Sequence, residues 1–233
     1  MNVEIWSDVV CPWCYIGKRR FEAALAQFAH RDAVQVTWRS FELDPGAPQR
    51  HPGTLTELLA HKMRATPAQA AAANARLTAL AAEEGLAYHL DQAQPGNTFD
   101  AHRLLHLAAA HGLQDTVKEA LLQAYFVEGK AIGDPDTLVA IVSEAGLSAD
   151  EARAVLMSNA YAAEVWADEQ RAATFGITGV PFVVVDERYG VSGAQPAAVF
   201  LDVLEHAWAA SHPLSMVGSA AGGESCDGDS CGF

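Results

Sequence analysis

The sequence predicts an α/β fold in which a small strand-and-helix layer is interrupted by a large all-helical insertion. Three observations predict it. Strand-like alternation is confined to the two ends of the 233-residue chain, and the long middle is Ala-rich with helical periodicity. The loop 44–53, which holds three prolines and two glycines, marks the exit from the first part into the second.

At the N-terminus Val3 and Ile5 alternate with Asn2 and Glu4, the period of a strand over 2–7. From Tyr15 the period becomes helical, with Ile16, Phe21, Leu25 and Phe28 on one face. Residues 34–41 alternate again and are rich in β-branched and aromatic side chains, a second strand. Helices are expected over 55–64, 67–84, 98–111 and 113–129. Two more begin at Asp134-Pro135-Asp136 and at the capping-box sequence Ser148–Glu151. A further helix covers about 160–175, a buried strand 179–185, a turn 186–189, a return strand 189–192 and a last helix 196–210. The order is β-α-β, helical block, α-β-β-α, which is that of a thioredoxin-like fold with a helical insertion. The divisions are residues 1–50 and 159–212 for the thioredoxin-like domain, 51–158 for the insertion, and 213–233 for a Gly/Ser-rich tail expected to be mobile.

Lys and Arg number 15 against 29 Asp and Glu, a net charge of −14. Such a chain repels nucleic acid and anionic membrane surfaces, and no run approaches the ~20 apolar residues of a membrane span. The N-terminus has neither a basic segment nor an apolar segment of a secretory signal, so a cytoplasmic location is expected. In a reducing cytosol four cysteines in two close pairs point to catalysis or metal rather than to structural disulfides.

Cys11-Pro12-Trp13-Cys14 falls where a strand loop meets a helix. A nucleophilic cysteine works as thiolate, and helix N-terminal amides facing Cys11, with a hydrogen bond from Cys14, would lower its pKa. The two-residue spacing lets the sulfurs meet without unwinding the helix, and Pro12 has no amide to waste there. Cys11 is then the attacking sulfur and Cys14 the resolving one. The same spacing also serves zinc, and a four-thiolate site with Cys226 and Cys231 is the competing reading. Gly179-Val180-Pro181-Phe182 places a proline at a strand start. A cis-Pro181 opposite Cys11 would leave the Val180 backbone free to pair with an extended substrate.

Five segments, 7–17 (SDVVCPWCYIG), 41–45 (FELDP), 97–104 (NTFDAHRL), 179–182 (GVPF) and 192–196 (SGAQP), together resemble the DsbA-like thioredoxin superfamily. The resemblance is strongest to its cytoplasmic FrnE-type branch, related to 2-hydroxychromene-2-carboxylate isomerases and kappa-class glutathione transferases. It implies a dithiol oxidoreductase of reductase or isomerase type with Cys11 and Cys14 as redox pair and Pro181 as cis-proline. The implied partners are disulfide-containing proteins or peptides and a thiol reductant, glutathione or the thioredoxin system. No cofactor is required, with glutathione as a candidate ligand. Many relatives of this architecture form homodimers, which makes a second copy a candidate partner. The isomerase branch carries a serine where this chain has Cys11, so the cysteine favours disulfide chemistry over glutathione-dependent isomerisation or transfer on a small aromatic compound.

Around the pair, Trp13 and Tyr15 are either an aromatic rim or core, and Trp6 and Phe41 are core. Asn97, Thr98, His102 and Arg103 open an insertion helix: either His102 or Arg103 covers the Cys11 thiolate, or Thr98 caps the helix while His102 is a buried histidine and Arg103 a surface ion pair. Asp8 either accepts a proton from Cys14 or is a loop residue. His102 and His106 lie one helical turn apart without a third ligand, so no metal site is expected. Cys226 and Cys231 are either a relay exchanging with Cys11–Cys14 or a weak chelating or idle end.

Overall fold

The computed structural model describes residues 1–213. The tail pair Cys226 and Cys231 lies outside the described residues. Four strands, β1 (Asn2–Ser7), β2 (Gln35–Ser40), β3 (Phe182–Val185) and β4 (Tyr189–Ser192), form one sheet in the order β2-β1-β3-β4. β1 and β2 are parallel, with Ser7 beside Ser40, while β3 runs antiparallel to both β1 and β4. β3 starts at Phe182, three residues later than residues 179–185 predict, because Pro181 cannot donate to the ladder. Asp186 and Glu187 take positive φ, 47° and 57°, to turn the β3–β4 hairpin.

Strand alternation sends side chains to two cores. Val3, Ile5, Val183 and Val185 face helices α1 (Pro12–Gln27) and α9 (Ala197–Ser211), where Phe21 meets Phe200 edge-to-face with centroids 5.8 Å apart. Trp6 and Val184 face the other way, onto α8 (Ala162–Thr174). Between β2 and α8 lie six helices: α2 (Leu55–Lys62), α3 (Pro67–Glu83), α4 (Phe99–Ala110), α5 (Gln114–Phe126), α6 (Pro135–Glu144) and α7 (Ala149–Leu156). Full capping boxes begin α2 (Thr54, Glu57) and α3 (Thr66, Gln69), and Asp134 with Pro135 begins α6. At α7 only half of the expected box forms, Ser148 accepting from the Glu151 amide. α4 differs more: Thr98 caps nothing, and Asn97 Oδ1 instead accepts from the Phe99 amide at 2.9 Å.

The helical block has its own core, centred on Leu104, Leu121, Leu122, Tyr125 and Leu138, and that core takes in Val9, Tyr15 and Ile16 from the loop and helix that carry the cysteines. Burying these three side chains fixes the block over the end of β1. The loop that links β2 to the block passes close to it: a Cβ at Gly133 would lie 1.9 Å from the Gln49 carbonyl oxygen, so only glycine fits there. Among the described residues no helix is long and apolar enough to cross a membrane.

Phe200 is 2 % exposed and fills the seam between α1, α9 and the sheet. Phe200→Ala should lower the unfolding free energy by about 3–5 kcal/mol, read from urea melts followed by circular dichroism. A loss under about 1 kcal/mol would show that this seam does not carry the sheet layer.

Candidate active site

β1 and β2 end at the same edge of the sheet, and the chain turns there into α1. Cys11 is the cap residue of α1 and Pro12 its first helical residue. One turn on, the Cys14 amide donates to the Cys11 carbonyl at 3.0 Å. Both are free thiols and both are buried, 3 % and 1 % exposed.

Across from them the Val180–Pro181 peptide is cis. The Cys11 Sγ donates to the Val180 carbonyl oxygen at 3.5 Å. Gly17 accommodates this loop, since a Cβ there would stand 3.0 Å from Pro181 Cγ. The Tyr88 hydroxyl, from the segment after α3, donates to the Pro12 carbonyl at 2.7 Å. Trp13 is 42 % exposed at the rim, whereas Tyr15 is core: it is 2 % exposed and its hydroxyl donates to Glu119 at 2.6 Å. Beside Pro12 opens a cavity of about 360 Å³ with an apolar lining that includes Val10, Leu43, Leu58, Leu90 and Phe126.

Behind the pair lies a buried polar layer. Lys118 from α5 is fully buried, and its Nζ donates to the Ser7 carbonyl at 3.2 Å. The Ser7 hydroxyl lies against the Cys14 sulfur and has no oxygen or nitrogen partner. Asp8 accepts from the Leu43 amide at 2.8 Å and lies 3.3 Å from His102 Nε2. His102 therefore addresses Asp8, not the Cys11 sulfur. Arg103 is also away from the sulfurs. It is 4 % exposed and binds the carbonyls of Val155, Ser158 and Ala160, clamping the α7–α8 link, while pairing with Asp100. Its planar fork is engaged on both sides, which is why a surface role fails. Asn97 ties α4 to the 41–45 segment through a 3.3 Å bond to the Pro45 carbonyl. His106 points to Ser40 and Asp168, so the two histidines of α4 serve different acids. Among the described residues no three His, Cys, Asp or Glu side chains converge as metal ligands would.

The electrostatics of the pair differ from the sequence expectation. The Cys14 amide in the first turn of α1 does pull the Cys11 thiol down, as a helix start should, but it is outweighed. That thiol is pushed well above the ordinary value, first by the Cys14 side chain beside it, then by burial, and by the charges of Cys14 and Asp8. Burial also opposes charge on Cys14, but the Cys11 hydrogen bond, the Lys118 charge, the Ser7 hydroxyl and the Asp8 amide outweigh it and hold that thiol below its ordinary value. One proton lost from the pair thus leaves its negative charge on Cys14. For Asp8, burial is overcome by the His102 hydrogen bond and charge and by the Leu43 amide, so it stays a carboxylate. Burial pulls Lys118 down to about 8 against the attraction of Cys14, Asp8 and Cys11.

Lys118, Ser7, Tyr88 and Glu42 were not legible as site residues. The one signal for Lys118 is a lysine inside the apolar stripe of α5, one residue after Val117 and four before Leu122. Glu42 stands in the 41–45 segment, 8 % exposed, with Oε2 unpartnered. Burial, then Glu169, Asp8, Asp100 and Asp44, push its carboxyl up to about 7. The folded protein therefore holds an extra proton between 4.5, the unperturbed value, and about 7, and stability falls as pH rises through that window. Glu42→Gln should gain about 2–3 kcal/mol on wild type between about pH 4.5 and about pH 8 in denaturant melts, and a gap independent of pH would refute the shift.

The fold has close counterparts. The chain is similar to the probable DsbA oxidoreductase SCO1869 from Streptomyces coelicolor, at 48 % identity and TM-score 0.88, covering 100 % of this chain and 99 % of that one. A Bacillus subtilis protein, the uncharacterised YwbO, is 27 % identical over 89 % of this chain and 95 % of its own. The cytosolic disulfide reductase DsbM from Pseudomonas aeruginosa with GSH shares the fold at 17 % identity and TM-score 0.62, over 88 % of this chain and 98 % of that one. Residues 2–205, which take in both cysteines, Pro181 and Lys118, match the model of the DSBA-like thioredoxin domain, and the chain belongs to that family of thiol oxidoreductases.

Proposed function

We propose that this protein is a cytoplasmic dithiol–disulfide oxidoreductase of the FrnE type that reduces or isomerises disulfides in proteins or peptides through Cys11 and Cys14. The observation that carries the reading is the approach of Cys11 Sγ to the Val180 carbonyl oxygen, 3.5 Å, with Cys14 one turn behind. A client segment that pairs with the Val180 backbone brings its disulfide to Cys11 before Cys14. Cys14, the more acidic sulfur, takes the proton of Cys11. The Cys11 sulfur then bonds to one client sulfur as the client S–S bond breaks, and the other client sulfur leaves as thiolate. Cys14 next loses that proton to the departing client sulfur as it bonds to Cys11, the mixed disulfide breaks, and the client departs reduced by two electrons. A thiol reductant, glutathione or the thioredoxin system, restores the pair. The exchange needs no resident cofactor. Net reduction or isomerisation follows from a cytosolic glutathione poise of about −220 mV or lower, which keeps such a pair reduced.

A second reading, glutathione-dependent isomerisation or transfer on a small aromatic compound, is favoured by one observation. The apolar cavity beside Pro12 has the volume of a small-ligand site.

The deciding experiment is dithiothreitol-driven insulin reduction by wild type, Cys11→Ser and Cys14→Ser. Cys11→Ser should fall to the uncatalysed background, and Cys14→Ser should accumulate a mixed disulfide on Cys11. An inactive wild type, or turnover indifferent to Cys11, would reject the dithiol reading. Turnover of a small aromatic with glutathione that survives Cys14→Ser would establish the second.

A further inference from the structure

We propose that the apolar cavity beside Pro12 is a selection pocket for the client, and that it takes a large uncharged side chain two residues from the client cysteine that Cys11 attacks. The inference rests on the dithiol reading above and names the class of disulfide that this site prefers.

The cavity is built before any client arrives. One wall is the segment after β2, pinned to the chain ahead of α4 by two main-chain bonds. The His51 amide donates to the Pro95 carbonyl and the Asn97 amide to the Pro48 carbonyl, each at 2.9 Å. A second wall is the pair α2 and α3, where Leu58 and Leu77 line the space and are only half-buried. A third side is Phe126 at the end of α5, whose ring stacks on Tyr88 with centroids 4.7 Å apart. The Tyr88 hydroxyl holds the Pro12 carbonyl, which ties this side of the cavity to the cysteine loop.

The lining sets the chemistry of the occupant. Its lysine and its carboxylate hold each other, Lys62 Nζ lying 2.5 Å from Asp44. The Asn74 amide donates to the Thr56 hydroxyl at 3.3 Å, and His51 Nδ1 accepts from the Gly53 amide at 3.2 Å. A charged group would therefore enter without a free counter-charge, which is costly. An apolar group instead exchanges water for leucine and aromatic carbon, and it completes the burial of Leu58 and Leu77. A volume of about 360 Å³ suits one large side chain rather than a length of main chain.

The position sets which residue enters. Val10 and Pro12 both line the cavity, and Cys11 stands between them. The Val180 carbonyl lies on the other side of that sulfur, 3.5 Å away. A client paired along Val180 is extended, so its side chains alternate in direction. When its cysteine points at Cys11, the two adjacent residues point away, and the residues two removed point the same way about 7 Å along the strand. One of those two falls over Val10 and Pro12. A free small aromatic would fill the same space without regard to the sequence of a peptide.

The test uses short peptides with one central cysteine, joined as symmetric disulfides and reduced by the protein with dithiothreitol as terminal reductant. The kcat/KM is compared for Ala, Leu, Phe and Glu at each position around the cysteine. At one of the two positions two residues away, Leu and Phe should exceed Ala by about tenfold or more, the gain expected from burying such a side chain, and Glu should not exceed Ala. Next to the cysteine, Ala, Leu and Phe should agree within about threefold. Leu58→Trp and Leu77→Trp fill the cavity from two helices, and each should bring the Phe-to-Ala ratio within about twofold. The ratio cancels any loss of turnover common to both peptides. Trp13→Ala, at the exposed rim, should keep the wild-type ratio. A wild-type ratio near one at both positions would overturn the proposal, as would an equal preference at every position. So would a ratio that survives both fillings, or one that is lost in Trp13→Ala. Should neither leucine variant fold, the wild-type series and Trp13→Ala decide alone. A wild type that reduces none of the peptides and no insulin would instead overturn the dithiol reading, and the pocket with it.

Discussion

The ammonium of Lys118, buried where α5 meets the end of β1, is the interaction on which the arrangement depends. A charge can be kept there only if α5 is held in one register and water is kept out. The register is set on both sides of the lysine. Gln114 bonds the Trp38 backbone in both directions, at 3.0 and 2.9 Å, and Asp115 accepts from the Trp38 indole at 2.9 Å. One residue past the lysine, Glu119 takes Tyr15 and Arg19 of α1, and those donors with Lys18 hold its carboxyl down to about 2 despite burial. Water is excluded by the core that Val9, Tyr15 and Ile16 share with the helical block. The block is thus coupled to the cysteine helix through ion pairs and apolar packing together, and burial of the redox pair follows from that coupling.

The carboxylates near the sheet divide into two sets with opposite electrostatics. Glu4 is opposed by burial but bound by Arg171 and Arg39, and its pKa is lowered; Arg39 also holds Asp168. These pairs tie α8 to β1 and β2. At the edge near the cysteines the acids outnumber the bases. Glu42 meets the negative charges of Glu169, Asp8, Asp100 and Asp44, which with burial push its carboxyl up to about 7. An anion on Cys14 is favoured there by Cys11 and then by the charge of Lys118, which Asp8 also draws.

The architecture was readable because its signals are local. Alternation at Val3 and Ile5, the proline-rich loop after β2, and the caps at Asp134 and Ser148 each set an element by short-range chemistry, and the element order then restricts the topology. Cys11, Cys14 and Pro181 were readable for the same reason, since their spacing and neighbours carry the signal. What failed was long-range. Whether Asn97 or Thr98 caps α4 depends on where the 41–45 segment runs, and Pro45 takes the other end of the Asn97 amide. Arg103 looks like a surface cation in an i, i+3 pair with Asp100, yet the α7–α8 link folds over it. The acidity order of the two sulfurs could not be read from a helix-dipole argument on Cys11, because the deciding cation is supplied by a helix more than a hundred residues away.

That last point bears on how the chemistry is divided. The strand-and-helix layer supplies the sulfurs, the cis-proline loop and the Val180 carbonyl, all near the end of β1. The acid it supplies close to them, Asp8, is committed to His102 and to the Leu43 amide, and Ser7 has only a hydroxyl to offer. The cation beside Cys14 comes from outside the layer, and α5 is the element of the helical block that contacts β2 and the end of β1 together. Placing that cation on the inserted block separates two demands that conflict on one element. The loop carrying Cys11 must stay accessible enough to meet a client, while the lysine beside Cys14 must stay buried for its charge to act strongly on the sulfur. Helix α5, packed in the insertion core and joined to the loop by one hydrogen bond to Ser7, meets the second demand without closing off the first.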